Sequence, residues 1–267
     1  MKACVITMQK DERLLLRHFA TYYGYLFGFE NLYILDNGSA AETRIILDDI
    51  ARHGGNIIYS YSRPKDFELK GVAICNIANG LLKKYDVFIT LDCDEFIGVK
   101  TNTIGNEYSC TKESIYNELS HFEPNTGYQV IERFRNNPSN QKLFYNLNST
   151  NRKLVFGAGR IKGLSVGLHH CVIPKKILTS KLVFFEFHNK PFLDLQRSAK
   201  EKLKLRVDIN DRNKLASYRG PGEHLPKYLL CSEEQYYEDV NKQPYLYICA
   251  INDAFNHPGL PPAFEGK

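Results

Sequence analysis

The feature that most constrains this chain is a regular exchange of apolar runs and helical periodicities over its first hundred residues. Ala3 to Met8 is a short apolar run suited to a buried strand. From Asp11 the pattern turns helical: Leu15, Phe19, Tyr22 and Leu26 recur at i, i+4, i+7 and i+11, with Gly28 as a stop. Leu32 to Leu35 reads as a second strand, ended by the turn residues Asp36-Asn37-Gly38-Ser39. A helix over about 40–53 closes at Gly54-Gly55, and Asn56 to Tyr61 reads as a third strand. The next helix carries Ile74, Ile77, Ala78 and Leu81 on one face. Val87 to Leu91 is a near-continuous apolar run, as a central parallel strand should be. Strands alternating with helices imply right-handed crossovers and a parallel sheet. In such sheets ligands sit beyond the carboxyl ends of the strands. Two acidic features fall there: Asp36, and the run Asp92-Cys93-Asp94-Glu95.

The second half is less regular. Residues 112–121 read as helix, Gly127 to Phe134 and Leu182 to Phe187 as strands, and Leu193 to Val207 as a basic-faced helix. Residues 208–230 are rich in charge, Gly and Pro and read as loop, and 232–255 holds two helices. With 43% hydrophobic and 24% charged residues the chain has ordinary globular usage, which argues against wholesale disorder. The net charge of +5 is too small for the dense basic face of a nucleic-acid binder, so no nucleic-acid partner is expected. Seven scattered cysteines without a C-x-x-C exclude a zinc ribbon and fit buried thiols in a reducing compartment. No apolar run reaches the ~18 residues of a membrane span, and the opening is charged too soon for a secretory signal. The expected location is therefore cytoplasmic or peripheral at a membrane; the apolar segment Tyr245 to Phe255 reads first as a core helix, with docking to a membrane surface or partner as the alternative.

The chemistry concentrates at Leu91-Asp92-Cys93-Asp94-Glu95-Phe96. Three carboxylates within four residues repel one another unless a cation sits among them. Oxygen ligands of this kind suit Mg²⁺ or Mn²⁺, which can in turn bind a diphosphate. A solvated acidic loop is the competing interpretation of the same residues. The chain has no G-x-x-x-x-G-K-[ST], H-E-x-x-H or G-x-S-x-G.

Lys10-Asp11-Glu12, the aromatic-rich helix ending Leu26-Phe27-Gly28-Phe29-Glu30, and Leu32-Tyr33-Ile34-Leu35-Asp36-Asn37-Gly38-Ser39 resemble the start of a GT-A glycosyltransferase. Leu91-Asp92-Cys93-Asp94-Glu95-Phe96 resembles the D-x-D of the same proteins, in the flavour of family 2-like and family 92-like transferases of polysaccharide assembly. Phe185-Glu186-Phe187-His188, then Arg197-Ser198 and Lys202, resembles their His…Arg-Ser…Lys segment. The likeness covers about 1–100 well and 153–202 loosely.

It implies an α/β fold of GT-A type with a mostly parallel central sheet flanked by helices and a less regular C-terminal part. The implied division is a transferase domain over 1–205, with a nucleotide-binding half (1–100) and an acceptor half (101–205), followed by a helical extension over 206–267. The implied activity moves a sugar, with inversion, from a nucleotide-diphosphate sugar (a UDP-sugar being the commonest such donor) to a glycan or lipid-linked acceptor. Asp36 would then accept a hydrogen bond from the donor's base or ribose, and Asp92 would contact the ribose or a metal-bound water. Lys10 would contact the donor, and Arg197 and Lys202 could reach its phosphates, with a solvated basic helix as the even alternative. Asp94, with Asp92, would hold Mn²⁺ or Mg²⁺. His188 is a third-ligand candidate, with an ordinary buried histidine as the even alternative and His169-His170 as a competing pair. An inverting transferase needs a base, and Glu132, Glu186 and Asp194 are candidates that the sequence does not separate. Two other interpretations stay open, a sugar-1-phosphate nucleotidyltransferase and a non-catalytic sugar-nucleotide-binding module.

Overall fold

The computed structural model describes residues 1–102, 104–148 and 152–256. In chain order the elements are β1 (Ala3–Gln9), α1 (Arg13–Phe27), β2 (Leu32–Asp36), α2 (Ala41–Arg52), β3 (Asn56–Ile58), α3 (Lys70–Gly80), β4 (Val87–Thr90), β5 (Glu95–Lys100), β6 (Tyr108–Ser109), α4 (Lys112–Leu119), β7 (Thr126–Gln129), β8 (Glu132–Asn136), β9 (Leu143–Asn146), β10 (Leu154–Gly157), β11 (Lys176–Thr179), β12 (Leu182–Glu186), α5 (Phe192–Leu203), α6 (Arg212–Ser217), α7 (Lys227–Leu230), α8 (Glu233–Asn241), β13 (Leu246–Tyr247) and α9 (Ala250–Phe255). They form two compact units. The first takes residues 1–134, 147–186 and the chain from 248; the second takes 135–146 and 187–247. Of the 206–267 extension, residues 257–267 lie outside the described residues.

The expected α/β architecture forms in the first unit. Its seven-stranded sheet has the order β11-β7-β10-β4-β1-β2-β3. β1 pairs in parallel with β2 and β4, and β2 with β3. The exception is β10, which runs antiparallel to both β4 and β7. β1 is buried along its whole length, as a strand covered by helices must be. Its alternate residues Cys4, Ile6 and Met8 join Phe88, Leu154, Phe156 and the Ala73-Ile74-Ala78 face of α3 in one core cluster.

A second set of antiparallel strands leads away from the sheet: β12 pairs with β5, and β5 with β6. The aromatic stripe of α1 fixes β5. Tyr22 donates its hydroxyl to the Ile97 carbonyl at 2.6 Å. The Tyr23 hydroxyl donates to the Glu95 carbonyl and accepts the Ile97 N–H, both at 3.0 Å. Both rings are fully buried in the packing between α1 and β5.

Three expectations need correction. The strand anticipated from 127 to 134 is two strands, β7 and β8, because the Val130 and Ile131 N–H groups turn to the carbonyls of Lys153 and Leu182. The helix expected over 193–207 is α5 and stops at Leu203. The loop expected over 208–230 contains α6 and α7. Asp211 caps α6 by accepting the N–H groups of Asn213 and Lys214. Leu215, Leu225 and Tyr228 join the core that α5 and α8 build in the second unit, with Phe192, Leu195, Ala199, Tyr236 and Val240. Among the described residues no helix is long and apolar enough to cross a membrane, and Cys4, Cys75, Cys93 and Cys110 are buried free thiols.

Tyr23→Phe should destabilise the chain by about 1–3 kcal/mol, because it removes the hydroxyl shared by two buried backbone groups of β5. Urea denaturation measures this, and an unchanged midpoint would contradict the role given to the hydroxyl.

Candidate active site at the strand ends

β4 ends in a tight turn. The Glu95 N–H donates to the Asp92 carbonyl at 3.0 Å, closing the four residues Asp92-Cys93-Asp94-Glu95. The Glu95 side chain folds back to accept the Asp92 N–H at 2.8 Å. Cys93 and Glu95 are buried, while Asp92 and Asp94 are half-buried. The crowding of carboxylates that the sequence displays is therefore real in space.

The charge that compensates it comes from two lysines. Lys70 Nζ donates to Asp92 Oδ1 at 2.5 Å, and Lys153 Nζ donates to Asp92 Oδ2 at 2.6 Å. Lys153 Nζ also lies 3.1 Å from Glu95 Oε1. The lysine side chains are only 3% and 2% exposed, against 32% for Asp92. Lys70 is the first residue of α3. Lys153 precedes β10, and the antiparallel pairing of β10 with β4 (Val155 opposite Ile89) carries it back to the end of that strand.

Burial alone would raise the Asp92 carboxyl, but Lys153 and Lys70 hold it well below the usual carboxylate range. Burial pushes the Glu95 carboxyl upward, and the charges of Asp92, Glu186 and Asp94 add to this while Lys153 opposes it. Burial would lower the Lys153 ammonium, but Asp92 and Glu95 keep it above its ordinary value, hence charged.

At the end of β2, Asp36 is fully buried. Its carboxylate accepts the Gln9 side-chain amide at 2.8 Å, the Ser39 hydroxyl at 2.5 Å and the Ser39 N–H at 3.2 Å. Asn37 donates to the carbonyls of Tyr61 and Arg63. Gly38 has φ +77°, and a Cβ there would meet the Ser62 carbonyl oxygen at 2.2 Å. Asp36 thus holds a turn together. Lys10, just past β1, is exposed.

Of the three base candidates, Glu132 accepts Lys100 Nζ at 2.9 Å and the Tyr108 hydroxyl at 3.0 Å, one on each oxygen. Glu186 sits opposite Glu95 in the β12–β5 pair and is bound by the Arg133 guanidinium, whose Nε donates to Oε1 at 2.6 Å. Asp194 belongs to the second unit, in the first turn of α5, ion-paired with Arg197 at 3.5 Å on an exposed face.

The histidines separate clearly. His169 lies within electrostatic reach of the Asp92 cluster: burial first, then Lys153 and Arg133, lower its pKa to about 4, with Asp92 opposing. Its backbone N–H donates to the Ser165 hydroxyl, and its Nδ1 is buried without a hydrogen-bond partner. His188 belongs to the second unit, its ring 6.3 Å from that of His224. Burial holds His188 well below the usual histidine range, and Arg135, His224, Lys202 and Lys190 reinforce this. Lys202, on α5, is exposed. Lys70, Lys153 and Arg133 are the site residues that sequence reasoning missed. The one local signal is a lysine set directly against an apolar run, Lys153-Leu154-Val155-Phe156.

No family profile matches this sequence, and no curated protein sequence matches it. Solved structures similar to it include the Staphylococcus aureus protein TarS, at 11% identity and a TM-score of 0.37 over 90% of this chain. The fragment TarS 1-349 aligns at 10% identity and a TM-score of 0.35, also over 90% of this chain. The chain spans 43% of the length of the first and 72% of the second. Its site chemistry therefore stands on its own residues.

An unfolded histidine titrates near 6.5 and folded His169 near 4, so the unfolded chain binds more protons in that interval. The part of the stability that depends on His169 should fall as pH drops from about 6.5 toward 4. His169→Gln should lose less stability than the parent between about pH 7.5 and pH 5, as read by urea midpoints. Equal losses would contradict the placement of this imidazole.

Proposed function

We propose that this chain is a glycosyltransferase that uses a nucleotide-diphosphate sugar, with a UDP-sugar as the first donor to test and a glycan or lipid-linked glycan as acceptor. The observation that carries the proposal is the charged cluster at the carboxyl end of β4, inside a parallel β1-β2-β4 arrangement whose strand ends are the ligand-binding edge of α/β folds. Buried, fixed charges at such an edge are preorganised to act on a ligand whose own charge changes in the reaction. Asp94, half-buried in the turn, is the carboxylate proposed to face the donor.

The divalent cation that the resemblance implies would have to take its ligands from these carboxylates. Both oxygens of Asp92 and both of Glu95 are engaged by ammonium or N–H donors. Among the described residues no three His, Cys, Asp or Glu groups come together as a metal-holding set. Asp92 and Glu95, already met by ammonium and N–H donors, do not fit the ion.

The pairing of Glu132 and Glu186 with cations favours a second reading, a sugar-nucleotide-binding module without a free base. Turnover separates the two. Thermal melting with UDP, GDP, dTDP and CDP should show a rise for one nucleotide by mass action, and a labelled sugar of that nucleotide should then be transferred. Asp94→Ala should leave the melting temperature within a few degrees and reduce transfer by at least about a hundredfold. Binding without transfer would favour the module, and full activity of Asp94→Ala would remove Asp94 from the site.

A further inference from the structure

A carboxylate ligates a metal by offering it lone pairs, and it gains by doing so because its charge is otherwise unbalanced. Neither condition holds for Asp92 or Glu95. Asp92 Oδ1 faces Lys70 Nζ at 2.5 Å and Oδ2 faces Lys153 Nζ at 2.6 Å. Glu95 Oε1 faces the same Lys153 Nζ at 3.1 Å, and Oε2 accepts the Asp92 N–H at 2.8 Å. The two ammonium groups are nearly inaccessible to solvent, so they are not mobile surface counter-ions. Their positions are fixed by the start of α3 and by the strand that enters antiparallel beside β4. A divalent ion placed among these carboxylates would have to lie against two buried like charges or displace them.

We infer that Lys70 and Lys153 stand where a divalent cation would, so that the positive charge of this acidic strand end is part of the chain and the site works without a metal ion. A nucleoside diphosphate would then bind equally well in a chelator. That consequence rests on the proposed function, whereas the statement about metal binding does not.

Two readouts on the full chain test this. The first is titration of the metal-stripped protein with Mn²⁺, following free Mn²⁺ by its electron paramagnetic resonance signal. The parent protein should bind no stoichiometric ion up to about 1 mM. Lys153→Met leaves Asp92 and Glu95 short of a cation, so this variant should acquire a Mn²⁺ site and be raised in melting temperature by the ion. Lys153→Arg keeps the charge and should behave as the parent. Should Lys153→Met not fold, Lys70→Met is read in the same way. One Mn²⁺ bound by the parent with a Kd below about 100 μM, and lost in Asp92→Asn, would overturn the inference.

The second readout is the melting shift given by the best nucleotide, in EDTA and in Mn²⁺. Equal shifts are expected, and a shift that vanishes in EDTA would overturn the inference. No shift with any nucleotide in either condition would overturn the proposed function instead, and the Mn²⁺ titration alone would then decide the inference.

Discussion

The arrangement at the end of β4 depends on one carboxylate, that of Asp92, held between two buried lysines. Burying a lysine is expensive unless an opposite charge meets it. Two lysines meeting one half-buried Asp92, with Glu95 sharing one of them, make a cluster that is costly to break at any single member. Such clusters contribute little net stability compared with an apolar core, but they demand a particular geometry. Here that geometry joins α3, the β4–β5 turn and the approach to β10, which are 22 and 61 residues apart in sequence from Asp92.

That separation explains what could and could not be read from the chain. The βα alternation of the first hundred residues was legible because periodicities of 2 and 3.6 are local, and Ala3–Gln9, Leu32–Asp36 and Val87–Thr90 form where the pattern puts them. The crowding of Asp92, Asp94 and Glu95 was legible for the same reason. Its counter-charge was not. Lys153 reaches Asp92 only because β10 enters the sheet antiparallel, and no local pattern specifies that pairing. Crowded carboxylates need a cation, and those beside Asp92 and Glu95 are the chain's own lysines.

The same limit applies to the second half. α6 and α7 are 6 and 4 residues long, too short for helical periodicity to register or for an isolated helix to form. They exist because Leu215, Leu225 and Tyr228 have a core to enter. The two histidine candidates differ in a way that spacing cannot express. His169 sits on the Ser165 turn of the first unit, within electrostatic reach of Lys153, Arg133 and Asp92, whereas His188 belongs to the second unit and feels Arg135, His224, Lys202 and Lys190. Glu132 and Glu186 are likewise decided by partners distant in sequence, Lys100 with Tyr108 and Arg133.

The most direct test of the lysine clamp is a double-mutant cycle between Lys153→Met and Asp92→Asn, with stability read from urea unfolding. Each single change removes one end of the Asp92–Lys153 contact, with Lys70 still facing Asp92 and Glu95 still facing Lys153, so the double variant should lose less than the sum of the two single losses. A coupling energy of about 1–3 kcal/mol is predicted, the partial exposure of Asp92 keeping it short of a fully buried pair. Strictly additive losses would mean that the two side chains do not depend on one another, and the account of a strand end neutralised from within would be contradicted.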